Sequence, residues 1–446
     1  MIVGNDEGTD DAEGHEVSPR GPGQNGQNPY VGLSNGRGGH RYSQVGSPGY
    51  APVSHDFRTR AVHAGEDDAS PVRPLTAPIY QGSVYAFENP ADFDATFGAH
   101  PPCPTYSRAG LPNTFALERA VADLEGGEDA VATASGMAAI SAVFLGVLAA
   151  GDHVVVSADC YSDTAALLRE GLGHFGVSTS FVDTCDPAAM TATLTPQTRI
   201  VWVETISNPA MKLCDLAALA TRAHRGGALL CVDNTFATPA LCRPLGHGAD
   251  LVIHSATKFL GGHHDLTAGV VVGSRSLIGR LRRSVYLFGP TLGAMDAWLA
   301  LRGIRTLAPR MAWVSETALT VARFLDGHPG VTAVRYPGLP GGRQDDLARD
   351  LLPDGGGGML AFDVAGGREA ADRLLREVRL IPFAPSLGGV TTTAAYPPRD
   401  DDGSPAGDGS TIRLSIGLEA AADLIADLGR GLAAVSLATL PIETLA

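Results

Sequence analysis

Lysine occurs only twice in this 446-residue chain, at Lys212 and Lys258, while 31 of the 33 basic residues are arginine. Covalent chemistry through an amine therefore has two candidates. Lys212 sits in the polar run NPAMKLCD and reads as a solvated surface charge. Lys258 follows the short apolar run LVIHS (251–255), with Ser255 and Thr257 just before it. ALLCVD (228–233) ends in Asp233, and RIVWVET (199–205) leads into Ser207-Asn208-Pro209. In an α/β sheet, ligands bind beyond the carboxyl ends of the strands, so these runs bring an acid, a hydroxyl pair and an amine to one rim. The turn Ser135-Gly136-Met137 opens an apolar helix, whose first N–H groups have no intrahelical acceptor and suit a phosphate. An amine that can form an imine, a carboxylate that can hold a pyridinium proton and a phosphate cradle together describe a pyridoxal 5'-phosphate site.

The elements that must position these residues follow from patterning. Between 118 and 275, helical and strand signals alternate with short turns. Leu117–Leu124 and Ala138–Leu148 read as helices, and 153–157, 199–205, 228–233, 251–255 and 269–273 are short continuous apolar runs. Such runs fit strands buried on both faces, so the expectation is an α/β domain with a largely parallel sheet. Residues 276–327 are rich in Leu, Ala and Arg and read as helices leaving that domain. GGMLAFDV (357–364), a helix after Arg368 and IRLSIGLE (412–419) then predict a smaller α+β domain, with 397–410 as a solvated loop. The expected division is a tail over 1–55, an arm over 56–115, a large domain over 116–310 and a small domain over 311–446. The tail holds 12 Gly and 5 Pro with no Phe or Trp, and cannot offset its chain entropy by burial; it is expected to be disordered.

Composition narrows the function classes. A net charge of −15 argues against a nucleic-acid partner. The longest near-apolar run, 138–150, falls short of the ~20 residues that a bilayer span needs, so no membrane association is expected. The acidic start is unlike a signal peptide. The six cysteines never come closer than eleven residues, which argues against a metal knuckle or a CxxC redox pair and points to buried thiols in the cytoplasm. His263-His264-Asp265 lies in a glycine-rich turn that does not aim both imidazoles at one ion, so no metal is expected.

Tyr106-Ser-Arg108, Ser135-Gly-Met137, Asp233-Asn-Thr-Phe, His254-Ser-Ala-Thr-Lys258 and Arg413-Leu-Ser-Ile-Gly-Leu-Glu, in that order and spacing, resemble the cysteine/methionine-metabolism family of PLP enzymes. That family includes cystathionine synthases and lyases and methionine γ-lyase, and the resemblance covers about 56–446. It implies the PLP-dependent transferase fold type I, aspartate aminotransferase-like: a mostly parallel seven-stranded sheet in a large domain, followed by a smaller α+β C-terminal domain. By the same resemblance, Lys258 is the Schiff-base lysine and proton shuttle, and Asp233 is the pyridinium partner. Ser255, Thr257 and the amides of Gly136 and Met137 hold the phosphate. Tyr161 stacks on the ring and Asn208 contacts its phenolic oxygen, while Arg413 clamps the substrate α-carboxylate. Tyr106 and Arg108 reach the neighbouring subunit's phosphate, implying at least a dimer with shared sites and, further, a tetramer.

Departures from the family pattern cluster on the substrate side. Tyr161 is followed by Ser162-Asp163-Thr164 where relatives carry Tyr-Gly-Gly-Thr or Tyr-Gly-Cys-Thr, and Ala166 stands where cystathionine enzymes tend to carry Arg. Thr391 follows Ser386-Leu-Gly-Gly389-Val where Glu is usual. Ser386, Asp163 and Thr391 are accordingly expected beside a small amino-acid substrate. The reading is γ-elimination of a sulfur or other γ-leaving group, giving a 2-oxo acid and ammonia. The alternative is a γ-replacement synthase acting on an O-acylhomoserine or a specialised-pathway amino acid; an aminotransferase and a non-catalytic relative rank below both.

Overall fold

The computed structural model describes residues 55–66, 74–97, 99, 102–342, 344–397 and 408–438. The Gly/Pro-rich tail and most of the 397–410 loop lie outside the described residues. A seven-stranded sheet is built from β1 (Asp129–Thr133), β2 (His153–Ser157), β3 (Ser178–Val182), β4 (Thr198–Glu204), β5 (Leu229–Asp233), β6 (Leu251–Ser255) and β7 (Gly269–Gly273). Its strand order is β1-β7-β6-β5-β4-β2-β3, and only β7 runs against the others. Alternate side chains enter two separate cores. Val155, Val201, Val203, Val232 and Val252 pack on one face, and Val154, Val156, Trp202, Cys231 and Ile253 on the other. This double burial is why the strands read as continuous apolar runs rather than alternating ones.

The chain leaves β2 for β3 at one edge, then crosses back to β4, β5 and β6 on the other side of β2. A crevice therefore opens at the carboxyl ends of β2 and β4, where right-handed crossovers diverge. Tyr161 follows β2 and Asn208 follows β4. Helices cover both faces. Pro112–Glu125 starts with Pro at its first turn and ends on Gly126 at φ +79°. Gly136–Val147 is capped by Ser135, whose hydroxyl accepts from the Ala138 N–H at 3.1 Å.

A second, antiparallel sheet has the order β10-β11-β9-β8 and comprises β8 (Val331–Arg335), β9 (Met359–Val364), β10 (Thr393–Ala395) and β11 (Thr411–Ser415). The helix Leu307–Asp326 leads into it and runs unbroken through position 310, where the expected boundary between large and small domains falls. Its Arg310 is buried and donates to the carbonyls of Phe259 at 2.7 Å and Gly303 at 2.8 Å. A residue at the expected boundary thus ties this helix to the turn that follows Lys258.

Candidate active site

A cavity of about 230 Å³ opens at the carboxyl rim of the large sheet. Its walls include Gly136, Met137, Tyr161, Asn208, Asp233, Ser255, Thr257, Lys258 and Arg413, so nine residues singled out by sequence come together. Arg413 arrives from β11 of the small sheet and is buried, its Nη1 donating to Asn208 Oδ1 at 2.9 Å. Lys258 Nζ donates to Ser386 Oγ at 3.3 Å, which places that serine beside the amine although it is not a wall residue. Burial, and then the Arg413 charge, hold the Lys258 ammonium below its ordinary range. The amine is thereby made a better proton acceptor at neutral pH.

Asp233 ends β5 with its Oδ1 accepting from the Thr235 N–H at 2.9 Å, and burial pushes its carboxyl up. Beside it in register stands Glu204, the last residue of β4, which is 6% exposed. Sequence reasoning missed Glu204, although as a strand-end acid it carries the same signal as Asp233. Its Oε1 accepts from the Tyr161 N–H at 2.6 Å and its Oε2 from the Asn208 N–H at 3.2 Å, so it fixes the backbone of both crevice residues. Burial, and then the Asp233 charge, push the Glu204 carboxyl well up. Two adjacent buried carboxyls favour a single negative charge between them.

The sign of the pH effect follows. The folded state holds protons that an unfolded chain releases, so this contribution to stability is complete below the ordinary glutamate value of 4.5 and fades as pH rises through the folded pKa. A Glu204→Gln apoprotein is expected to gain in melting temperature relative to wild type as pH rises from about 4.5 to 8. Thermal scans across that range check it, and a gap that stays constant with pH would refute it.

The remaining candidates are not among the cavity walls. Asp163 is exposed but accepts from the Tyr161 hydroxyl at 2.7 Å. Thr391 is exposed and off the walls, while Thr392 beside it is buried and donates from Oγ1 to Glu419 at 2.7 Å. Tyr106 is exposed, and the Arg108 guanidinium lies over the Tyr286 ring at 4.6 Å, in a separate cavity of about 290 Å³. Gly388, at φ +80°, passes so close to Lys258 that an added Cβ would lie 2.6 Å from Phe259 N and 2.9 Å from the Lys258 carbonyl carbon. Gly388→Ala is therefore expected to cost about 1–3 kcal/mol and to lower kcat by displacing the amine. Denaturant unfolding and steady-state kinetics measure the two effects.

The donor set fits pyridoxal phosphate. A Cβ on Gly136 would lie 2.7 Å from Ser255 Oγ, so glycine there lets the helix N-terminus and the serine share one cradle. Among the described residues no cation forms an ion pair with half-buried Asp233, which leaves its carboxylate for a cationic ring nitrogen.

The site and the doubly wound sheet define a fold type I PLP enzyme, and comparison with known proteins places it further. Residues 58–433 match the family model for Cys/Met metabolism PLP-dependent enzymes, and the chain belongs to that family. An O-succinylhomoserine sulfhydrylase of Pseudomonas aeruginosa is 42% identical over 392 residues, covering 85% of this chain and 96% of that protein. An L-methionine gamma-lyase of Porphyromonas gingivalis is 40% identical over 390 residues, covering 84% and 96%. The crystal structure of metB from Corynebacterium glutamicum matches with a TM-score of 0.81 at 36% identity, covering 86% of this chain and 99% of that one.

Proposed function

We propose that the chain removes a γ-leaving group, sulfur or otherwise, from a small amino acid, releasing a 2-oxo acid and ammonia. The observation that carries this is the desolvated Lys258 amine set between Ser386 and the buried Arg413. The cofactor, when bound, supplies an electron sink for charge that develops at the substrate carbons. Gly136, Met137, Ser255 and Thr257 would hold its phosphate, Tyr161 and Asn208 would contact its ring, and Asp233 would keep the ring nitrogen protonated. Arg413 holds the α-carboxylate through its planar fork and so orients Cα–H toward the amine. Lys258 takes a proton from Cα, passes it on and assists removal of a second proton from Cβ, which lets the γ-substituent leave with its electron pair; water then releases the 2-oxo acid and ammonia. Burial, and then the hydrogen bond to Asp163, push the Tyr161 hydroxyl up to about 12.

A second reading is favoured by the sulfhydrylase relative: a nucleophile is added at Cγ in place of the leaving group. Holoenzyme mixed with L-methionine, and separately with O-acetyl-L-homoserine, is assayed for 2-oxo acid and ammonia with and without a thiol. Release without thiol supports elimination, whereas a thioether formed only with thiol supports replacement. Loss of neither γ-group would overturn both.

We also infer an oligomer, at least a dimer with shared sites and further a tetramer. Support comes from Tyr106 and Arg108 lying outside their own chain's cavity, with Arg108 against Tyr286, which precedes the exposed Leu287 and Phe288. Mixing Lys258→Ala with Arg108→Ala protein is expected to restore part of the activity in hybrid oligomers. No recovery after demonstrated subunit exchange would refute sharing. The six free thiols support a cytoplasmic setting.

A further inference from the structure

At the cavity mouth, the Tyr161 hydroxyl spends its one hydrogen on Asp163 Oδ2 at 2.7 Å, and the Ser162 hydroxyl adds a weaker bond to Oδ1 at 3.4 Å. Towards the cavity the phenol oxygen therefore offers lone pairs only, backed by a carboxylate. Among the described wall residues the cations are Lys258 and Arg413. The reading above assigns the first to proton transfer and the second to the α-carboxylate. Among those wall residues of the same chain no third cation remains for a charge at the far end of the substrate. Ala166, in the same short helix as Asp163, presents a methyl group, and the next basic residue along the chain, Arg169, lies over the Phe181 ring at 4.2 Å.

We propose that Asp163 sets the substrate class: the site accepts γ-substituents, and nucleophiles, that are neutral or cationic and turns away those ending in a carboxylate. Thiomethyl, acetyl and halide groups fall on the accepted side, and a succinyl group or the carboxylate of an incoming amino acid on the rejected side. The proposal rests on the γ-elimination or γ-replacement reading. Its physical basis is like-charge repulsion combined with the directional mismatch of two acceptors. Asp163 is exposed, so the repulsion is partly screened by solvent and salt.

Two measurements on holoenzyme test it. The first titrates two amino acids that lack a γ-leaving group, neutral L-norleucine and anionic L-2-aminoadipate, by calorimetry. Wild type is expected to bind norleucine about tenfold tighter, and added salt to narrow that ratio. Asp163→Asn and Asp163→Ser are each expected to bring the ratio close to unity and to remove its salt dependence. A purely structural role would weaken both ligands alike and leave the ratio unchanged, and that outcome overturns the proposal. The second compares kcat/KM for O-acetyl- and O-succinyl-L-homoserine, with the variants expected to gain on the succinyl ester mainly through KM. If neither ester is consumed while the binding ratio still moves, the γ-reading falls and the role of Asp163 stands. If the esters are consumed but the ratio does not move, Asp163 alone is refuted.

Discussion

A Lys258→Ala holoenzyme is expected to lose activity by at least about 10³-fold, because in the proposed mechanism one amine both anchors the cofactor and moves the substrate protons. Nothing nearby can substitute for it. The other lysine, Lys212, is held by Asp159 at 2.7 Å and is absent from the cavity walls. The visible band of the lysine-bound cofactor should vanish in the variant, whereas the fold should survive, since the side chain's hydrogen bond is the long 3.3 Å contact to Ser386. Spectra, circular dichroism and product assays on the same sample test each part. Activity within tenfold of wild type would remove Lys258 from the mechanism.

Asp233→Asn is expected to separate catalysis from stability. In the holoenzyme, kcat should fall by about 10²–10³-fold, because a neutral amide cannot hold a pyridinium proton and the electron sink weakens. In the apoprotein the same change should raise the melting temperature at neutral pH. Burial pushes the Asp233 carboxyl up, so its ionised form is a cost, and Asn can still accept from the Thr235 N–H. The stabilising share lies below the ordinary aspartate range and is lost as pH rises through the folded pKa, so the variant's advantage should grow toward alkaline pH. Loss of stability in the apo variant at every pH would show that the carboxylate has a structural partner.

What could be read from sequence follows burial. The five doubly buried strands β2, β4, β5, β6 and β7 stood out as apolar runs. The two that escaped notice are the edges of the sheet. β3 reads STSFV and is exposed or only half-buried along its length, and β1 reads DAVAT, with alanines that carry little signal. The residues proposed to hold the cofactor lie at or just after strand ends and could be inferred from chemistry. Glu204 carries the same strand-end signal as Asp233, but only the register of β4 with β5 shows the two acids side by side. On the substrate side, Thr391 was singled out whereas its neighbour Thr392 is the buried one; which of two adjacent threonines turns inward depends on the path of an irregular loop, and composition carries no record of that.

The Arg413–Asn208 bond joins residues 205 apart in sequence, and the Lys258–Ser386 contact joins residues 128 apart. During synthesis, the strands that carry Asp233 and Lys258 leave the ribosome well before β11 exists. The amine is therefore presented on an open rim until the last quarter of the chain is made, and the anion clamp arrives with it. A nonsense codon after β7 would yield a product with Lys258, the proposed cofactor anchor, but without Arg413, the proposed substrate clamp. Closure of the proposed site thus depends on contacts that form only once the C-terminal part of the chain has been made.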